Sequence, residues 1–315
     1  METLINPRNL ILTSDQLARL MPYFIVTLGA MMVLIVGVLR SLRSTTLATA
    51  GLSMLTLLGA AYAVLRLWGE PQAMLFNNML ASNDFSHVFN LIFLGTTGLV
   101  ILSSYSYLER EKIHHMEYYS LLLFSCLGMM LLASAVDFIV LFVSLEIMSI
   151  AVYVLVGFRR TDIKSNEAAI KYFVLGSAAS AILLLGVAFL YGATGTMNLH
   201  QIGSYIQSQA ELNTLFVLGC VLVFSGFFFK VAMVPFHMWM PDVYEGAPTT
   251  VTTFMTTGLK ASAFAAFMRV FLECMPIHTQ GISDSLGNIM WFVAVLTMFI
   301  GNVIALTQTN FKRML

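Results

Sequence analysis

Three charged side chains stand near the middle of long apolar runs: Glu146 in "FIVLFVSLEIMSIAVYVLVGF", Lys230 between Leu215 and Met240, and Lys260 in "VTTFMTTGLKASAFAAFMRVFL". A charge at the centre of a bilayer costs about 3 kcal/mol on insertion scales unless it is paired or hydrated. One acid and two bases on separate runs suit proton transfer. Burial disfavours a lysine's ammonium and a nearby carboxylate favours it, so a small movement of the acid can load or empty the lysine. The competing reading is a static buried ion pair that only holds helices together.

Around Lys230 the sequence reads "FFFKVAMVPFHMWMPDVYEGAPT". Pro235 has no N–H and deprives the Val231 carbonyl of its helical partner. Irregular backbone at membrane depth is tolerated where it is buried in protein or lines a water-filled cavity. Lysine, proline and histidine together therefore read as a hydrated helix break on an ion path. His237, beside Trp239, reads either as part of that path or as a packing histidine. Asp242 and Glu245 read as a surface turn with Pro241 and Gly246. Lys171 lies about a turn inside its run, where it either joins the buried set or reaches the surface and pairs with Glu167 at i, i+4. Arg269, with Glu273 four residues on, reads as an interfacial anchor.

These residues need long apolar elements to hold them. The chain has 315 residues, 58% hydrophobic and 10% charged, against about 25% charged in a soluble domain. That composition belongs to an integral membrane protein. Nine runs are long enough to span: 21–39, 47–68, 86–106, 116–134, 137–158, 167–192, 213–240, 249–272 and 288–307. The seventh, containing Pro235, is expected to be discontinuous. Between the sixth and seventh, Leu199, Ile202 and Ile206 mark a short amphipathic helix at the interface. "GSAASA" from Gly176 to Ala181 permits close helix packing. The fold class is thus an all-α polytopic bundle.

Loops after runs one, three and five carry Arg40, Arg43, Arg110, Lys112, Arg159, Arg160 and Lys164, and Lys312 and Arg313 follow run nine. The other side offers Arg8, Arg19, Arg66 and Arg269. The bias predicts cytoplasmic basic loops and an outside N-terminus. The first twenty residues lack a basic n-region and a small-residue cleavage site, which argues against a cleaved signal peptide. Sixteen acidic and sixteen basic residues balance, giving no charge excess for nucleic acid. Cys126, Cys220 and Cys274 lie far apart in or at the ends of apolar runs. They show neither a disulfide framework nor metal-ligand spacing and read as packing residues.

"GMMLLASAVDFIVLFVSLEIMSIAVYVLVGF", "EAAIKYFVLGSAASAILLLGVAFLYGATGTMNL" and "FKVAMVPFHMWMPDVYEGAPTTVTTFM" closely resemble the subunit N family of proton-pumping NADH-quinone oxidoreductase (respiratory complex I). These are antiporter-like membrane subunits related to Mrp-type cation/proton antiporters. The resemblance is good over about residues 85–315 and weak over the first three spans. "DVYEGAP", with lysine at position 260, favours subunit N over its two relatives.

The resemblance implies a fourteen-helix fold with two inverted five-helix units, each with a broken helix. It divides this chain into residues 1–110, a three-helix segment; 111–275, a five-helix unit; and 276–315, the first helix of an incomplete second unit. It implies that the chain is a fragment or a truncated product. It makes Glu146, Lys230, Lys260, Lys171 and His237 the proton-translocating residues. It further implies a subunit of a redox-driven translocase in the inner membrane, partnered by other membrane subunits. The chain itself would have no redox cofactor or metal, and NADH and quinone would be used elsewhere in the complex. An Mrp-type antiporter subunit and a non-pumping structural subunit are the alternatives.

Overall fold

The computed structural model describes residues 13–39, 44–113, 117–208, 213–274 and 282–315. Arg8, Arg40, Arg43 and the expected boundary at 275–276 lie outside the described residues. Two helices, α1 (Ser14–Leu39) and α2 (Ser44–Arg66), lead into a hairpin of β1 (Ala73–Leu75) and β2 (Leu80–Ser82). Then come α3 (Asp84–Arg110), α4 (Glu117–Ser134), α5 (Phe138–Val156), α6 (Ile163–Thr194) and α7 (Leu199–Ser208). Next are α8 (Thr214–Val231), α9 (Met240–Gly246), α10 (Thr249–Phe254), a π-helical turn (Met255–Leu259), α11 (Lys260–Cys274), α12 (Ile282–Leu306) and α13 (Phe311–Met314).

Eight of these helices are long and apolar enough to cross a bilayer, among the described residues. The eighth expected span is not a regular helix of that length. It is helical from Thr249 to Cys274, but the π turn widens it immediately before Lys260. The seventh expected span is broken, as its proline predicts. Helix α8 stops at Val231, four residues before Pro235, where the proline ring would meet the helix. Ala232 takes a left-handed φ of 63°, and Met233 N donates to Phe228 O at 2.8 Å to close the end.

Polar caps start the spanning helices. Asp137 accepts from Ile139 N at 2.9 Å at the head of α5, and Asp162 accepts from Lys164 N at 2.9 Å at the head of α6. Helices α6 and α8 pack closest where glycines remove side chains. A Cβ on Gly186 would lie 2.7 Å from Val223 N and 2.8 Å from Gly219 O. The tight approach therefore falls later than the "GSAASA" stretch suggests. Within that stretch, Gly176 instead leaves room for the Tyr153 side chain of α5.

Two features depart from the sequence reading. The β-hairpin was not foreseen; Leu75 and Leu80 bury with Leu20 of α1 in a small separate core. Arg269, read as an interfacial anchor, is only 3% exposed and is held inside the bundle. Besides Glu273 at 3.0 Å, it donates to Ala133 O at 3.0 Å and Ser86 Oγ at 3.0 Å. It ties α11 to the ends of α3 and α4. Helix α7 turns Leu199, Ile202 and Ile206 onto protein, close to α11, so its apolar face is covered by the bundle.

Candidate functional site

Glu146 and Ser149, one turn apart on α5, and Tyr153 a further turn on, share one helix face at i, i+3 and i+7. The buried end of α8 meets that face. Lys230, 8% exposed, donates to Ser149 Oγ at 3.1 Å and to Tyr153 Oη at 3.5 Å. Its Nζ also lies 5.9 Å from the centre of the Tyr153 ring. Glu146 does not take this ammonium. Its Oε1 is buried without a hydrogen-bond partner among the described residues. The structure thus sets Lys230 against the face of α5 that carries Glu146, bonded to Ser149 and Tyr153 and not to the acid.

Ser149 and Tyr153 are the polar partners that sequence reasoning missed. Their spacing from Glu146 was the available signal, and it is weak in a helix apolar on all sides.

Aromatic rings connect this pocket to Lys260. Tyr153 meets Tyr172 edge-on, with centroids 4.8 Å apart. Tyr172 stacks on Trp239 at 4.8 Å, and Trp239 meets Tyr244 edge-on at 6.2 Å. The Lys260 Nζ lies 5.6 Å from the centre of the Tyr244 ring, a cation–π contact. Trp239 Nε1 donates to Phe229 O at 3.2 Å, satisfying one carbonyl at the broken end of α8. His237 lies on the break itself, and both its ring nitrogens are buried without partners among the described residues.

Lys171 sits apart from the three mid-span charges. It pairs with Glu167 at 2.7 Å, as the i, i+4 spacing predicts, and with Asp242 of α9 at 2.8 Å. Arg313 of α13 pairs with Asp242 at 2.9 Å and Glu245 at 2.7 Å, and Lys164 pairs with Glu245 at 3.0 Å. These groups line a cavity of about 240 Å³. Hydrogen bonds from Lys171, and then Arg313, hold the Asp242 carboxyl below its ordinary range. Arg313, and then Lys164, do the same for Glu245. The expected surface turn is therefore a short helix fastened by ion pairs. Arg159, bonded to Glu111 at 2.8 Å, stands where α3 ends and α6 begins. Arg19, bonded to the Pro71 carbonyl at 2.9 Å, belongs with the hairpin at the opposite end of the bundle.

A buried lysine at a broken helix, a half-buried lysine after a widened turn and a half-buried glutamate on the helix face that the first lysine meets define an antiporter-like membrane helix bundle. The chain belongs to the NADH:quinone oxidoreductase/Mrp antiporter transmembrane family, whose model matches residues 135–315. It is 43% identical over 297 residues to NADH-quinone oxidoreductase subunit N of Trichlorobacter lovleyi, covering 94% of this chain and 60% of that one. It is 48% identical over 239 residues to subunit N 1 of Chloroherpeton thalassium, covering 76% and 50%. Among solved structures, a chain of respiratory complex I from Thermus thermophilus with bound aureothin matches with TM-score 0.76 and 31% identity, covering 93% of this chain and 60% of that one. A chain of the membrane-bound sulfane sulfur reductase, an archaeal respiratory membrane complex, matches with TM-score 0.78 and 25% identity, covering 95% and 61%. The chain thus spans about half to three fifths of the length of these relatives.

Proposed function

We propose that this chain is a proton-translocating membrane subunit of a NADH-quinone oxidoreductase. Residues 111–275 form its transport unit, 1–110 a flanking three-helix segment and 276–315 the start of a second unit. Glu146, Lys230 and Lys260 carry the proton, with His237 at the break and Lys171 at the charged cavity. Electron transfer from NADH to quinone occurs in partner subunits, and this chain contributes no redox group. It lies in the inner membrane with its N-terminus outside, among other membrane subunits.

The observation that carries this reading is Lys230. It is buried at the broken end of α8, bound to hydroxyls and not to the acid beside it. A static strut would be expected to close the Glu146 pair, since breaking up a buried pair leaves an uncompensated charge. An open pair, with the lysine bonded instead to neutral hydroxyls, suits a group that gains and loses a proton.

The Mrp-type alternative draws on the family description, which includes those antiporters. The sulfane sulfur reductase neighbour adds that one fold serves complexes of different redox chemistry. The test is NADH-driven proton pumping in membrane vesicles carrying Lys230→Ala or Lys230→Arg, normalised to assembled complex. Both should lose pumping, because a guanidinium keeps its charge but does not deprotonate. Wild-type pumping by Lys230→Arg would make Lys230 an ion-pair strut. Cation-dependent proton exchange without NADH would favour the antiporter.

A further inference from the structure

Among the described residues, the unassigned side chain that meets the central lysine at an ordinary hydrogen-bond distance is Ser149, which is 0% exposed. It lies one helical turn from Glu146 on the same face of α5. Tyr153 Oη stands second, at 3.5 Å. We propose that Ser149 is a positioning residue for proton transfer: its hydroxyl holds Lys230 away from Glu146 and keeps hold of it whichever protonation state the lysine adopts.

The chemistry of the three candidate partners decides this. A carboxylate only accepts hydrogen bonds, so Glu146 binds the ammonium strongly and the neutral amine hardly at all. A hydroxyl both donates and accepts. Ser149 Oγ accepts from Lys230 when the lysine is an ammonium and can donate to its lone pair once the proton has gone. The side chain then need not swing away on deprotonation. A buried ion pair, by contrast, deepens with every contact it gains in a low dielectric and would trap the proton. The orphaned Glu146 Oε1 is the counterpart of that arrangement, a carboxyl oxygen one turn along α5 from the hydroxyl that holds the lysine. The room for Tyr153 beside this site is also built in. Gly176 of α6 faces the tyrosine hydroxyl, where a Cβ would collide with it. A hydroxyl pair is thus packed around the ammonium from α5 alone, with α6 shaped to admit it.

This inference rests on the proton-translocating reading, and its test is arranged so that the two can fail separately. Ser149→Ala, Ser149→Val and Ser149→Thr are introduced into the complete respiratory complex and assayed in membrane vesicles beside Lys230→Arg. Pumping is normalised to assembled complex. Valine and threonine have nearly the same shape and differ in the hydroxyl, so they separate hydrogen bonding from packing. The expected result is a fall of about tenfold for Ala and Val, the scale of one charged hydrogen bond, with Thr restored to within about twofold of wild type. Wild-type pumping by Ser149→Ala, or equal loss in Val and Thr, overturns the role of Ser149 while an inactive Lys230→Arg leaves the proton-carrying lysine standing. Wild-type pumping by Lys230→Arg overturns both.

Discussion

The Tyr244 ring lies beneath the Lys260 ammonium, 5.6 Å from centroid to Nζ, and Tyr244 itself is 1% exposed. The π turn ends at Leu259, so the lysine begins a fresh helical stretch with its charge over an aromatic face. Widened turns of this kind often mark functional positions. The ring stabilises the charged form of Lys260 without supplying an opposite charge, which keeps the site from becoming a fixed ion pair.

Tyr244→Phe should therefore pump nearly as well as wild type, because the ring's negative face is retained. Tyr244→Leu should lose the cation–π contact, worth about 0.5–2 kcal/mol, and pump several-fold more slowly per assembled complex. Vesicle assays of the two variants side by side decide it. Equal activities in Phe and Leu would mean that Tyr244 serves only packing.

The ion pairs around Asp242 and Glu245 predict a particular acid response. Both carboxyls are held below their ordinary range, Asp242 first by Lys171 and Glu245 first by Arg313. A lowered native value means that the stabilisation is fully present above the ordinary carboxylate range, about pH 4. It is lost as pH falls through the lowered values. Arg313→Gln removes a partner of both acids at once. Its melting temperature should lie below wild type by a constant gap from neutral pH to about pH 5, and the gap should narrow below about pH 4. A gap that widens on acidification would contradict the pairing.

Topology has a direct test. Thr161 is exposed between α5 and α6, in the basic loop that the positive-inside bias assigns to the cytoplasm. The three native cysteines are all buried, so a new one is reported against low background. Thr161→Cys should resist a membrane-impermeant thiol reagent in intact cells and react in inside-out vesicles. Ready labelling of intact cells would reverse the orientation.

Much of the molecule was legible along the chain. Length and hydropathy of a run are local sums, so the spans could be read residue by residue. Pro235 fixed the break in α8 because a missing N–H acts on the carbonyl four residues back wherever the helix is packed. Glu146, Lys230 and Lys260 were recognisable because a mid-span charge is costly in any arrangement. The Lys171–Glu167 pair followed from helical spacing alone. What tertiary structure decided was which way each helix is turned. Helices apolar around their whole circumference carry almost no directional signal. Nothing in the run around Glu146 said that Ser149 and Tyr153, and not the acid itself, would meet Lys230. Arg269 could be seen near the end of its run, but its burial came from carbonyl and hydroxyl partners on α3 and α4, more than a hundred residues away. The β-hairpin was hidden because three-residue strands are too short to show alternation, and the contact with Leu20 of α1 exists only once the bundle has formed. Sequence supplied the costly charges and the helix break; packing alone chose their partners, because a hydrogen bond across helices depends on rotation and register that hydropathy does not encode.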